Sequence, residues 1–202
     1  MHQRIATTFS TLLFLTTFCH APILQAAEYF LAIQPILPEK ELKESYQPLA
    51  DYLSAETGHT ITSATPRNFL SYWTKMRKKE KGFDLVLDAA HFTDYRIKKQ
   101  GYTVLAKLPD TVSFSIVTSE DNFILDVEEL IGLRVATMPS PSLGALRLEE
   151  LFTNPMRIPI YIWEINTTVA VDKILDGELD AAIIPTRLAS TYSNLNIVMT
   201  TE

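Results

Sequence analysis

The chain has 202 residues, with 18 Lys and Arg against 24 Asp and Glu, a net charge of −6, and 47% hydrophobic residues. That acidic balance argues against nucleic acid or anionic lipid as a partner, since both are polyanions that recruit basic surfaces. The one cysteine, Cys19, excludes an intrachain disulfide and a Cys-rich metal site.

Arg4 is the only charged side chain ahead of an apolar run, Thr11 to Phe18. The run is too short for the ~20 apolar residues of a membrane-spanning helix. It leads to Leu24-Gln25-Ala26-Ala27, where small residues suit signal-peptidase cleavage. Residues 1–26 are therefore expected to be a secretory signal, with a periplasmic mature chain beginning at Ala27 or Glu28. Cys19 lies in the segment to be removed. Lipid attachment there would call for a small residue where Phe18 stands.

From Tyr29 onward, short apolar runs alternate with amphipathic stretches, the pattern of βα units around a mainly parallel sheet. Strands are expected at Tyr29–Ile33, Thr60–Ser63, Leu85–Leu87, Thr103–Ala106, Ser113–Thr118, Arg134–Ala136, Ile158–Ile162, Ala181–Ile184 and Asn196–Met199. A helix over Glu39–Thr57 would bury one stripe of Leu42, Tyr46, Leu49, Ala50 and Leu53 and end at Gly58. Phe69–Lys79 presents Phe69, Leu70, Trp73 and Met76 on one side, and the basic run from Lys75 to Lys81 reads as a solvated helix face. Val127–Ile131 is a short helical turn closed by Gly132. Leu143–Phe152 packs Leu146, Leu148 and Leu151; Thr168–Leu175 packs Val171, Ile174 and Leu175. A boundary falls near Asp110, where one βα series ends and Ser113–Thr118 begins a strand of alternating polar and apolar residues. Residues 27–110 are expected to form a first lobe, 111–118 a crossover strand acting as a hinge, and 119–202 a second lobe.

Catalytic constellations are absent from the sequence. Beyond the signal only His59 and His91 remain, with no Gly-x-Ser-x-Gly elbow, no Gly-rich phosphate loop and no metal-ligand spacing of histidines. No catalytic residue, metal or cofactor is expected, and Glu128-Glu129 and Glu149-Glu150 read as solvated helix carboxylates.

Candidate binding residues lie instead in loops that follow strands and open helices, where α/β sheets place ligands. In the turn from Thr137 to Gly144, Ser142 is a natural N-cap, and the N–H groups of Leu143, Gly144 and Ala145 open the helix; Ser140 lies in the same turn. This is an anion site in outline or an ordinary capped helix, and spacing does not separate the two. His91 and Thr93 follow the strand at 85–87, Asn166, Thr167 and Thr168 follow the one at 158–162, and Thr186 and Arg187 follow Ala181–Ile184. His91 reads equally as a ligand contact or as an imidazole bonded to backbone, and Thr168 reads as an N-cap.

The helix run from Gln47 to Gly58, the Phe83 to His91 stretch, and Asp176-Gly177-Glu178-Leu179-Asp180-Ala181-Ala182-Ile183 resemble phosphate/phosphite/phosphonate-type periplasmic binding proteins of ABC transporters. The resemblance implies an α/β, periplasmic-binding-protein-like two-lobe fold with mixed, mainly parallel sheets. It also implies a monomer that hands a small polar or anionic ligand to a membrane permease. The family's hydroxyl-rich oxyanion turn falls on Pro139 to Gly144, where Pro141-Ser142-Leu143 keeps a single hydroxyl and Pro141 offers no backbone donor. A carboxylate for a ligand amine is missing near Pro185-Thr186, which disfavours an aminophosphonate. The resembled proteins continue past the last strand to complete the first lobe, so here that lobe is expected to be incomplete at the C-terminus, or minimal. A ligand-sensing module for a membrane signalling protein is the alternative function. A small exported enzyme ranks third, for want of a nucleophile-base pair.

Overall fold

The computed structural model describes residues 26–80 and 83–201, so the expectations for a signal segment and for Cys19 fall almost wholly outside the described residues. Two sheets organise those residues. The first consists of β1 (Glu28–Ile33), β2 (Thr60–Ala64) and β3 (Leu85–Leu87) in the order β2-β1-β3, all parallel. The intervening helices are α1 (Glu39–Thr57) and α2 (Phe69–Lys78), with α3 (Ala90–Gln100) after β3.

Successive side chains of a strand point to opposite faces, and β1 is covered on both. Leu31 and Ile33 pack with Leu42 and Ala50 of α1, while Ala32 packs with Phe69, Tyr72, Met76 and Phe92 of α2 and α3. The α1 stripe is narrower than expected: Leu42 and Ala50 are fully buried, whereas Leu49 is exposed. Gly58 ends the helix in the left-handed region (φ 69°), returning its N–H to Ser54 O, a conformation that costs glycine little. In α2 the buried row is Phe69, Tyr72 and Met76, and Leu70 turns outward. Tyr72, not Leu70, keeps the three- and four-residue spacing to Phe69 and Met76.

The sequence reading assigned no helix to α3, because its inward positions include a charged residue, Arg96, which is 2% exposed. The expected strand Thr103–Ala106 does not form. Residues 101–107 carry no regular structure, and Val104, Leu105 and Leu108 lie exposed. A strand needs a partner to close its hydrogen bonds, and β-propensity alone does not supply one.

The second sheet has the order β6-β5-β7-β4-β8. Its strands are β4 (Phe114–Ser119), β5 (Arg134–Thr137), β6 (Ile160–Trp163), β7 (Ala181–Pro185) and β8 (Leu195–Thr201). Its helices are α4 (Leu143–Leu151), α5 (Thr167–Leu175) and the short α6 (Thr186–Ala189). β5 runs parallel to β6 and β7, while β4 is antiparallel to β7 and β8, which makes the sheet mixed. Despite its alternating sequence, β4 is a central strand with Ser115 and Thr118 fully buried. α5 buries Val171 and Ile174 but leaves Leu175 exposed.

Two aspartates, each just ahead of a strand, tie neighbouring strands of the two sheets in the same way. Asp84 Oδ2 accepts the Phe30 N–H of β1 at 2.9 Å, and Asp180 Oδ2 accepts the Arg134 N–H of β5 at 2.7 Å. Asp180 also takes the Arg134 side chain on both oxygens, at 3.1 and 3.0 Å.

A candidate ligand cleft between the two sheets

The turn from Thr137 to Gly144 leaves the carboxyl end of β5 and starts α4. Ser142 caps that helix, accepting the Ala145 N–H at 3.2 Å while its hydroxyl donates to Met138 O at 2.7 Å. The side chain is 1% exposed, so both halves of the hydroxyl are committed inside the turn. Gly144 is needed for close packing: a Cβ there would stand 3.1 Å from Thr137 Oγ1, 3.3 Å from Ile183 Cγ2 and 3.4 Å from Phe114 Cε1. The N–H groups of Leu143 and Gly144 belong to the first helical turn, whose donors have no partner within the helix. Ser140 is exposed and joined to Pro141 by a cis peptide bond.

This turn reaches the first sheet's half of the molecule. Met138 is buried in the cluster of Phe69, Tyr72, Met76 and Phe92. His91, in the first turn of α3, stands with Nε2 2.9 Å from Pro141 O. A carbonyl only accepts, so Nε2 carries the proton and donates. Nδ1 is then the bare nitrogen, and it is buried without a hydrogen-bond partner. The ring lies against Phe92, with centroids 4.0 Å apart. Burial pushes the His91 pKa below its ordinary value, against the opposing pull of the Pro141 bond and of Asp88. Thr93 Oγ1 bonds back to Ala89 O in its own helix at 3.3 Å.

A second contact between the halves comes from the start of α5, where the Thr167 N–H donates to Ile36 O at 3.0 Å. Asn166, not Thr168, caps α5, its side chain accepting the Val169 N–H at 3.0 Å. The expected assignment to Thr168 misplaced the cap by two residues, because Asn satisfies the first-turn donors at least as well as Thr. Beside this start, buried Glu164 bonds Lys173 Nζ at 2.7 Å, and that bond holds the Lys173 ammonium above its ordinary pKa. Thr186 sits apart, in a hydroxyl cluster with Ser113 (2.9 Å) and Ser115 (3.0 Å), and Ser115 meets Thr200 at 3.0 Å.

On the side of the first sheet, a polar core stands beside these contacts. Asp88, just past β3, accepts from the Tyr72 hydroxyl, from Arg96 Nε and, at 3.2 Å, from Gln34 Nε2. The Arg96 guanidinium lies over Phe83 and Tyr102, 5.2 and 5.0 Å from the ring centroids. Burial, followed by the charge of Asp88, pushes the Tyr72 phenol upward, so Tyr72 remains a neutral donor. Sequence reading missed this network, along with Ile36, Met138 and Glu164. Arg96 reads as a helix-surface charge two residues from Asp94, and nothing local in sequence shows that it is buried against Asp88 instead.

Arg187 pairs with Asp110 on the surface and is not free to clamp an anion in this arrangement. Among the described residues no group of three or more His, Cys, Asp or Glu is placed to hold a metal ion. A cavity of about 260 Å³ lies at the far end of the second sheet, lined by Phe123, Leu125 and Ile197, away from the contacts between the halves.

The family described as "ABC transporter, phosphonate, periplasmic substrate-binding protein" matches residues 31–202. No curated protein sequence matches the chain. Among solved structures, a binding protein component of an ABC phosphonate transporter from Pseudomonas aeruginosa superposes with a TM-score of 0.69 at 13% identity. The match covers 87% of this chain and 65% of that one, so the chain spans less than two thirds of that protein's length. PhnD1 from Prochlorococcus marinus, in complex with methylphosphonate, gives 0.69 at 16% identity, covering 86% and 72%. An ancestral arginine-binding protein bound to arginine gives 0.63 at 15% identity, covering 86% and 79%. At these identities the likeness establishes the fold, a periplasmic-binding-protein-like α/β architecture with mixed sheets.

Proposed function

The chain belongs to the family of periplasmic substrate-binding proteins of phosphonate ABC transporters, and on that premise we propose that it is a periplasmic solute receptor. It captures a small polar or anionic solute between two lobes and presents it to a membrane permease, without chemical turnover. The lobes are residues 27–110 and the second sheet from β4 onward, since residues 114–118 of the expected crossover form a central strand of that sheet and leave only the segment before β4 as the joint. One observation carries the reading: loops that open helices in both halves face each other, His91 at Pro141 O and Thr167 N–H at Ile36 O. A solute bonded to both sets of loops stabilises the closed form by its differential affinity for it.

The oxygen-rich part of such a solute meets the N–H groups of Leu143 and Gly144. It does not meet the Ser142 hydroxyl, which is already taken. Asn166 and Thr167 complete the set, while His91, expected as a ligand contact, is engaged at Pro141 O and holds the two halves together. Thr186 and Thr93 are held by their own neighbours and contribute order to it. Thermal unfolding of the exported protein with methylphosphonate, phosphite, phosphate and arginine tests the reading. A ligand at a hundred times its Kd adds about 2.7 kcal/mol to stability and raises Tm accordingly. A flat response to all four probes, alongside measurable turnover of any of them, would overturn it.

A further inference from the structure

His91 contacts both halves of the molecule in a way that makes its protonation state consequential. Its Nε2–H donates to Pro141 O of the other half, while Nδ1 is sealed from solvent with no acceptor beside it. A second proton could be added only at Nδ1. That would place an N–H donor, and with it a full charge, where nothing accepts it, a penalty avoided only if the ring leaves the contact.

The surroundings offer no rescue. The turn packed on the ring, Met138-Pro139-Ser140-Pro141-Ser142, contains no ionisable side chain. On the α2 side the ring's neighbour Phe92 packs on Phe69, Tyr72 and Trp73, and Arg77, lying over Trp73, adds positive charge. The carboxylate that acts on His91, Asp88, is already engaged by Tyr72, Arg96 and Gln34. Of the residues on its own helix, Asp94 is paired with Lys98.

We propose that His91 sets lobe closure: its neutral ring holds the Pro141 turn across the cleft, and its protonated ring releases it. The inference rests on the solute-receptor reading only for its use, namely release of solute in mildly acidic surroundings. The sign follows from the open state, where a solvated imidazole titrates near 6.5. Closure is fully supported above that pH and is lost as pH falls through the lower value of the closed form, in agreement with the downward shift that burial produces.

Small-angle X-ray scattering on the exported protein tests this, with far-UV circular dichroism to show that the fold persists. Between about pH 7.5 and about pH 5 the radius of gyration of the wild type should rise. His91→Gln, whose amide can donate to Pro141 O but cannot titrate, should stay compact at both pH values. His91→Phe, with no donor, should be expanded at both. A wild type whose scattering does not change with pH overturns the proposal, as does a His91→Gln variant that keeps the step. Methylphosphonate and arginine titrations on the same samples separate the two claims. A pH step without binding of any solute removes the receptor reading and leaves the latch, whereas binding without a step removes the latch alone.

Discussion

Ser142 commits both its lone pair and its proton within the turn, and this separates stability from binding at one residue. Ser142→Ala leaves the Ala145 N–H and one bond to Met138 O unmade in a site closed to water, which should cost about 1–2 kcal/mol in urea unfolding. Because the hydroxyl faces the protein, solute affinity of the folded variant should change by less than its stability does. Asp180 gives a pH-dependent counterpart. Its hydrogen bond from the Arg134 side chain holds its carboxyl below the ordinary 3.8, with the Arg134 N–H acting in the same direction. A folded-state pKa that is depressed gives stability present above the unfolded value and lost as pH falls through the folded one. The stability difference between wild type and Asp180→Asn, measured by unfolding across the pH range, should therefore be constant near neutrality and shrink on acidification below about 4. A difference that grows in acid would contradict the assignment. The Gly-x-x-Asp-Ala element that marked the family in the sequence thus has a local physical job, which is to tie β5 to β7.

At the scale of elements, α4 is decided by how close it comes to the sheet. Gly144→Ala would ordinarily help a helix by up to about 1 kcal/mol, less in the first turn where few intrahelical bonds depend on it. Against this, the new methyl meets Thr137, Ile183 and Phe114 at 3.1–3.4 Å, and two of those three are β-branched side chains with stiff rotamers. Overpacking of about 1–3 kcal/mol wins, so the variant should unfold at lower urea than the wild type. A stabilised variant would mean that the sheet yields.

The same elements show what could be read in the sequence. β1, β2, β3 and β7 are runs of apolar and β-branched residues bounded by turn formers, and α1 has both its stripe and its terminal glycine in plain view. α3 was hidden because the residue it buries is Arg96, legible only once Asp88, Tyr72 and the aromatic faces around it are in place. Thr103–Ala106 failed for the opposite reason, having strand-forming residues and no partner strand. In the candidate cleft, the cap at Ser142 follows from a local rule of three residues. The His91 to Pro141 and Thr167 to Ile36 contacts span 50 and more than a hundred positions, and no local rule reaches that far.

For the whole molecule, the decisive feature is the connection between the two sheets. Residues 103–112 take no part in the backbone hydrogen bonds described outside helices and strands, while Leu105 is 81% exposed and Leu108 65%. Proteases cut native proteins where several residues can adopt an extended form without breaking structure, and a free, exposed connection meets that condition with little local unfolding. Lys107 is exposed within it. Of the other tryptic sites in the first half, Lys43, Lys75 and Lys98 lie on helices that would first have to unwind, and Arg67 and Lys79 flank α2 at ends fixed by the Asn68 cap and by the Lys79 N–H bond to Lys75 O. Brief trypsin treatment under native conditions should therefore cut first after Lys107, and mass analysis should return two fragments, one for each sheet. Because Met138 is packed among Phe69, Tyr72 and Phe92, and His91 still holds Pro141, the nicked halves should comigrate on a sizing column at neutral pH. They should separate more readily in mild acid, where the His91 contact is lost. Early cleavage within α1 or α2, or halves that separate equally at both pH values, would show that the two sheets are not joined in this way.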